Sequence, residues 1–114
     1  MVTSIIDWQL TVERLNGNEK AAREIIPLFL KELPTSQRLI NQAYDANNAK
    51  KLYEHLHRLH GGCCYVGVPV LKDITLRFCD AAKHNRHQEF TGLLAEFNQT
   101  VDAILLAAKD FVLP

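Results

Sequence analysis

The chain reads as all-α: an antiparallel up-down four-helix bundle preceded by an additional short N-terminal helix. Three observations predict this. Apolar residues recur at three- and four-residue spacing along most of the 114 residues, the period of a helix with one buried stripe. Runs with strand-like alternation are nearly absent. The breaks between periodic stretches are only a few residues long, so successive helices must fold back on one another.

Each element has its own signals. Asp7 can cap a short helix running from Trp8 to Leu15, closed by Asn16-Gly17. Asn18 caps the next, with Ala22, Ile25, Ile26, Phe29 and Leu33 on its inner face. Pro27 lies inside that pattern and predicts a kink, because it removes a backbone donor and crowds the preceding turn. Pro34 predicts a break or a fresh start beside Thr35-Ser36, with Leu39, Ile40, Ala43 and Tyr44 turned inward afterwards. Asn47-Asn48 is the turn into a third helix striped by Leu52, Leu56 and Leu59. Pro69 suits the first turn of a fourth, with Val70, Ile74, Phe78 and Ala81 inward and Asn85 at its end. Phe90, Leu94, Phe97, Val101, Ile104, Leu105 and Ala108 give the last helix the most regular stripe. No segment repeats another and no linker appears, so residues 1–114 form one domain.

Composition narrows the function. Thirteen basic residues balance thirteen acidic ones, which argues against a nucleic-acid partner, since phosphate backbones are bound through basic surfaces. Cys63, Cys64 and Cys79 are odd in number and two are adjacent, so no disulfide framework follows and a reducing compartment is expected. The first ten residues lack a basic start followed by a long apolar run. No apolar run approaches the ~20 residues that span a bilayer. The expectation is a cytoplasmic domain, monomeric in isolation and without direct membrane contact.

The most informative stretch is Leu56-His57-Arg58-Leu59-His60-Gly61-Gly62. On a helix whose leucines face the core, His57 and His60 fall at the edge of the buried face. Gly61 lies one turn beyond His57 on the same side. Helical side chains lean toward the N-terminus, so a side chain at position 61 would cover the imidazole, and a hydrogen leaves it bare. Each helical glycine costs roughly 1 kcal/mol relative to alanine. Either Gly61-Gly62 is a C-terminal cap, or open space beside His57 is worth that cost.

Three chemistries compete for these residues. His55, His57, His60, Cys63, Cys64, Cys79, His84 and His87 are rich in metal ligands, but one helix cannot close a tetrahedral site. The Glu-x-x-His pair of a di-iron bundle occurs once, as Glu54 and His57, where two copies are needed. Cys63 or Cys64 beside His60 mimics a nucleophile–base pair, yet bundle cysteines are usually small core residues. Gly-rich nucleotide-binding patterns are missing, so no ATP site is expected. Accepting a phosphoryl group asks less of the host protein: an accessible neutral imidazole on a stiff helix, with room beside it and cations nearby. Lys50, Lys51, Arg58, Lys72 and Arg77 are the candidate cations.

His57-Arg58-Leu59-His60-Gly61, followed six residues later by Gly67, resembles the His-x-x-Lys-Gly motif of histidine-containing phosphotransfer (HPt) domains. The string over residues 57–69, with Asp7-Trp8-Gln9-Leu10 and Ala22-Arg23-Glu24, is similar to the C-terminal HPt module of BarA/GacS-type hybrid sensor kinases. The resemblance implies that His57 accepts a phosphoryl group from a receiver-domain aspartate and passes it to a response-regulator aspartate. It implies a supporting role for His60, access at Gly61, and a partner surface including Arg58, Gly62, Gly67 and Lys72. It further implies no cofactor or metal in this domain, magnesium on the partner receiver, and a parent hybrid kinase anchored in the inner membrane. Two departures stand out. His60 replaces the motif lysine, and Cys79 stands where a glutamine or glutamate often braces the active imidazole. A docking bundle without chemistry and a His/Cys metal-binding bundle remain the alternatives.

Overall fold

A computed structural model describes residues 5–114, which form five α-helices and one short 3-10 turn with no strand among them. The helices are α1 (Trp8–Arg14), α2 (Glu19–Asp45), α3 (Ala49–Cys63), α4 (Pro69–Lys83) and α5 (Phe90–Ala108), with the turn at His87–Glu89 leading into α5. Asp7 and Asn18 cap their helices as expected, and Asn48, read from the sequence only as part of a turn, caps α3. Asp7, Asn18 and Asn48 each accept a backbone N–H three residues ahead, at 3.0 Å, which satisfies one of the donors a helix start leaves unpaired. Asn16, Asn47 and Asn85 all take the left-handed conformation just past a helix end, one that asparagine tolerates better than most side chains.

Helix α2 corrects the reading of Pro34 as a break. It runs unbroken for 27 residues with Pro27 and Pro34 both inside it. The two prolines are seven residues apart, hence on one face, and both are exposed. The carbonyls they leave unbonded therefore lie toward solvent, where water can serve them, while Ile26, Phe29, Leu33 and Ile40 hold the opposite face in the core. At 1.5 Å per residue this helix is about 40 Å long, and it sets the molecule's 41 Å long dimension.

Helices α2 to α5 close a four-membered bundle: α3 packs on α2 and α4, α4 on α5, and α5 back on α2. Phe78 and Phe97 are the largest of its fully buried side chains, their rings edge-to-face with centroids 6.4 Å apart. Val70 departs from the expected stripe and is 65% exposed. The inner face of α4 is instead Leu71, Ile74, Thr75, Phe78, Cys79 and Ala82 with Ala81, because Pro69 starts the helix in a register that turns Val70 outward. Leu39 and Tyr44 are half-buried rather than core.

Helix α1 fastens the far end of α3. The Asp7 N–H donates to the Gly67 carbonyl at 2.7 Å. The Gly67 N–H donates to Thr11 Oγ1, and the Thr11 hydroxyl donates to the Asp7 carbonyl, both at 2.8 Å. Arg14 Nη1 donates to the carbonyls of Cys63 and Val66, so a cation caps the C-terminal end of α3, where the helix dipole favours one.

Candidate functional site

The leucine stripe positions the site. Leu52, Leu56, Leu59 and Cys63 are buried, which fixes the rotation of α3 and leaves His57 exposed on its outer side with Arg58. The imidazole stacks on Tyr53, one turn earlier, with ring centroids 5.6 Å apart and planes 20° from parallel. This contact orients the ring while leaving its edge to solvent. Tyr53 was not singled out from the sequence, although its i, i+4 relation to His57 is a readable signal.

The glycine pair is not a cap. Both residues lie within α3, which continues to Cys63, and neither takes a left-handed conformation. They differ in what surrounds them. A Cβ at Gly61 meets nothing within 4 Å, so the space beside His57 is open to the outside. A Cβ at Gly62 meets the Phe29 ring at 3.3 Å, so that glycine lets α2 approach α3 and is half-buried. Gly67 is corrected more strongly. It is buried, and a Cβ there would run into the Asp7 carbonyl oxygen; it seats α1 instead of facing a partner.

His60, three residues from His57, is half-buried and turned toward α4, where its Nδ1 lies 3.2 Å from Thr75 Oγ1. Its Nε2 lies 3.9 Å from Cys64 Sγ. Lys72 is half-buried on α4, whereas Lys50 and Lys51 are exposed on α3. Arg77 is occupied: it pairs with Asp73 at 2.9 Å and with Glu96 of α5, and these carboxylates raise its pKa further. It therefore belongs to the α4–α5 contact. Cys79 is buried with its thiol 4.0 Å from the Tyr53 carbonyl oxygen, so its structural link toward His57 runs through the residue that stacks on the ring.

The other candidate ligands do not join these. His84 pairs with Asp80 and His87 lies tilted against Phe90, centroids 4.8 Å apart and planes 48° from parallel, at the end of the bundle where α3 begins. Among the described residues no group of three or more His, Cys, Asp or Glu side chains converges as a metal site would. Burial pushes the Cys63 thiol up to about 12, with a hydrogen bond to Thr75 opposing the rise, which removes it as a nucleophile near neutral pH. Among the described residues no helix is long and apolar enough to cross a membrane.

A family model for the Hpt domain matches residues 24–107, a span that contains α3, His57 and all four bundle helices apart from the ends of α2 and α5. The chain belongs to the Hpt domain family. This Hpt domain is 32% identical over 69 residues to the signal transduction histidine-protein kinase BarA of Escherichia coli strain K12, a match covering 60% of this chain and 8% of that protein. It is 31% identical over 89 residues to the sensor histidine kinase GacS of Pseudomonas protegens, covering 78% of this chain and 10% of that protein. The matched stretch is thus a tenth or less of these curated relatives. In fold it is similar to the HPT domain of an Hpt sensor hybrid histidine kinase from Shewanella, with a TM-score of 0.74 at 24% identity over 94% of this chain and 96% of that one. Membership assigns this Hpt domain a phosphotransfer role.

Proposed function

We propose that His57 is the phospho-accepting residue of a multistep two-component relay. A neutral ring nitrogen attacks the phosphorus of an aspartyl phosphate on a receiver domain; the N–P bond forms as the acyl phosphate P–O bond breaks and the aspartate leaves as a carboxylate. The reverse exchange delivers the group to an aspartate of a response regulator. Transfer of this kind is largely positioning and charge neutralisation, and magnesium with its acidic pocket is supplied by the receiver. This domain supplies a nucleophile held by the Tyr53 stack, room above Gly61, and cations on the exposed flank, Arg58 among them. The same reading makes the domain a cytoplasmic carrier within, or serving, a hybrid sensor kinase.

The observation that carries this reading is the exposed imidazole beside a glycine that no other part of the bundle covers. Incubation with a phosphorylated receiver domain is expected to label the protein with an acid-labile, base-stable phosphate. His57→Gln abolishes the label, whereas His60→Gln only slows its appearance. Equal loss in both variants would overturn the assignment of roles, and absence of label with every receiver tried would leave a docking function alone.

A further inference from the structure

The position that the family motif gives to lysine is His60 here, and its surroundings fix more than its location. Thr75 is fully buried, and its hydroxyl has three neighbours. The Leu71 carbonyl oxygen is 2.8 Å away and that of Lys72 is 3.0 Å away, while His60 Nδ1 is 3.2 Å away. A hydroxyl has one proton and two lone pairs. Carbonyl oxygens can only accept, and they lie closer, so the proton points to the Leu71 carbonyl. The face of the oxygen turned to His60 is then an acceptor, and Nδ1 must bring the hydrogen.

We infer that Thr75 is a positioning residue that holds His60 in the Nδ1–H form, which leaves Nε2, 3.9 Å from the Cys64 thiol, as the ring nitrogen able to meet a phosphoryl oxygen. This rests on the phosphocarrier reading above. In the neutral ring Nε2 carries a lone pair and repels that oxygen; in the doubly protonated ring it donates a hydrogen bond and carries charge. His60 therefore differs in kind from the motif lysine: it can donate a hydrogen bond from Nε2 to that oxygen only when its ring carries two protons. The ionisable groups around it are Cys63 and Cys64 on α3, Lys72 one turn before Thr75 on α4, and Arg14, which reaches from α1 to the Cys63 carbonyl.

Nitrogen-15 NMR of the imidazole side chains tests the tautomer without any partner protein. Under basic conditions His60 is expected to show a protonated Nδ1 and an unprotonated Nε2 in the native protein and in Thr75→Ser, and to lose that preference in Thr75→Val. A native ring protonated on Nε2 instead would overturn the inference. In transfer assays His60→Gln should lower the rate about fivefold under acidic conditions, the size of one ordinary hydrogen bond, with native and variant rates converging under basic conditions. A ratio that does not change with pH would also overturn it. If the tautomer is as inferred yet no receiver labels His57, the phosphocarrier reading fails and the Thr75–His60 geometry stands.

Discussion

At the scale of single residues, five glycines and three cysteines are chemically alike within each set but do different work. Gly67 has no room for a methyl group, because the Asp7 backbone occupies that space. Gly67→Ala should cost at least about 2 kcal/mol, as overpacking against a part that cannot yield does, and urea denaturation is expected to show it. Transfer by the folded fraction should be little changed, since the atoms that a Cβ at Gly67 meets belong to Asp7 and Thr11. The cysteines divide likewise: Cys63 and Cys79 are buried and Cys64 is half-buried. An alkylating reagent applied to the native protein is expected to label Cys64 first. The raised Cys63 pKa also has a sign. The unfolded thiol ionises near its ordinary value of 9.0 and the folded one near 12. Cys63 therefore contributes stability that is fully present below about pH 9 and lost as pH rises toward 12. Unfolding measured across that range should decline less steeply in Cys63→Ala than in the native protein. Much of this site was legible as residue types: the positions of His57, His60 and Gly61 follow from spacing alone. Thr75 was not, because nothing local distinguishes a threonine that faces a histidine fifteen residues away from one that merely fills an inner stripe.

At the scale of elements, caps and stripes decided most of the fold. Asn18 and Asn48 act where the sequence places them, and Asn48→Ala should cost about 1 kcal/mol, read as a shift in thermal midpoint. Pro34 misled the reading of α2. A proline in a helix interior costs about 3 kcal/mol when its effects are taken alone, yet here both prolines sit on the solvent side of a helix whose other face is buried throughout. Packing along the whole length outweighs two local defects, and propensity by itself carries no information about that opposite face. Pro34→Ala is accordingly expected to stabilise the protein by about 1–2 kcal/mol, less than the full helix penalty because the unfolded chain also gains freedom. Val70 was also misread. Pro69 opens α4 as read and Ile74, Phe78 and Ala81 of the same stripe are buried, but Val70 lies in the first turn beside the helix start, where the stripe has not yet reached the core. The polar ladder of Gln37, Asn41, Asn98 and Asp102 between α2 and α5 was also invisible from one strand of sequence, since its partners are about sixty residues apart.

At the scale of the whole molecule, a bundle of four helices serves as a rigid mount. Leucines on α3 lock its rotation, α1 and Arg14 fasten its end, and α2 approaches closely at Gly62. What α3 leaves on the outside is the His57 imidazole, stacked on Tyr53, with empty space a turn further on. The bundle has to do little else, since a partner that brings an activated phosphate and its metal needs only a fixed target. The measurement that addresses this most directly is the transfer rate from a phosphorylated receiver to Gly61→Leu, with circular dichroism and thermal unfolding measured in parallel. Because nothing of the protein itself lies within 4 Å of a Cβ at that position, the variant is expected to fold with equal or higher stability, gaining up to about 1 kcal/mol of helix propensity. Its transfer should fall by at least about 100-fold, the scale on which small displacements of reacting groups act. A folded Gly61→Leu protein that accepts phosphate at the native rate would contradict the claim that open space beside His57 is what this helix preserves.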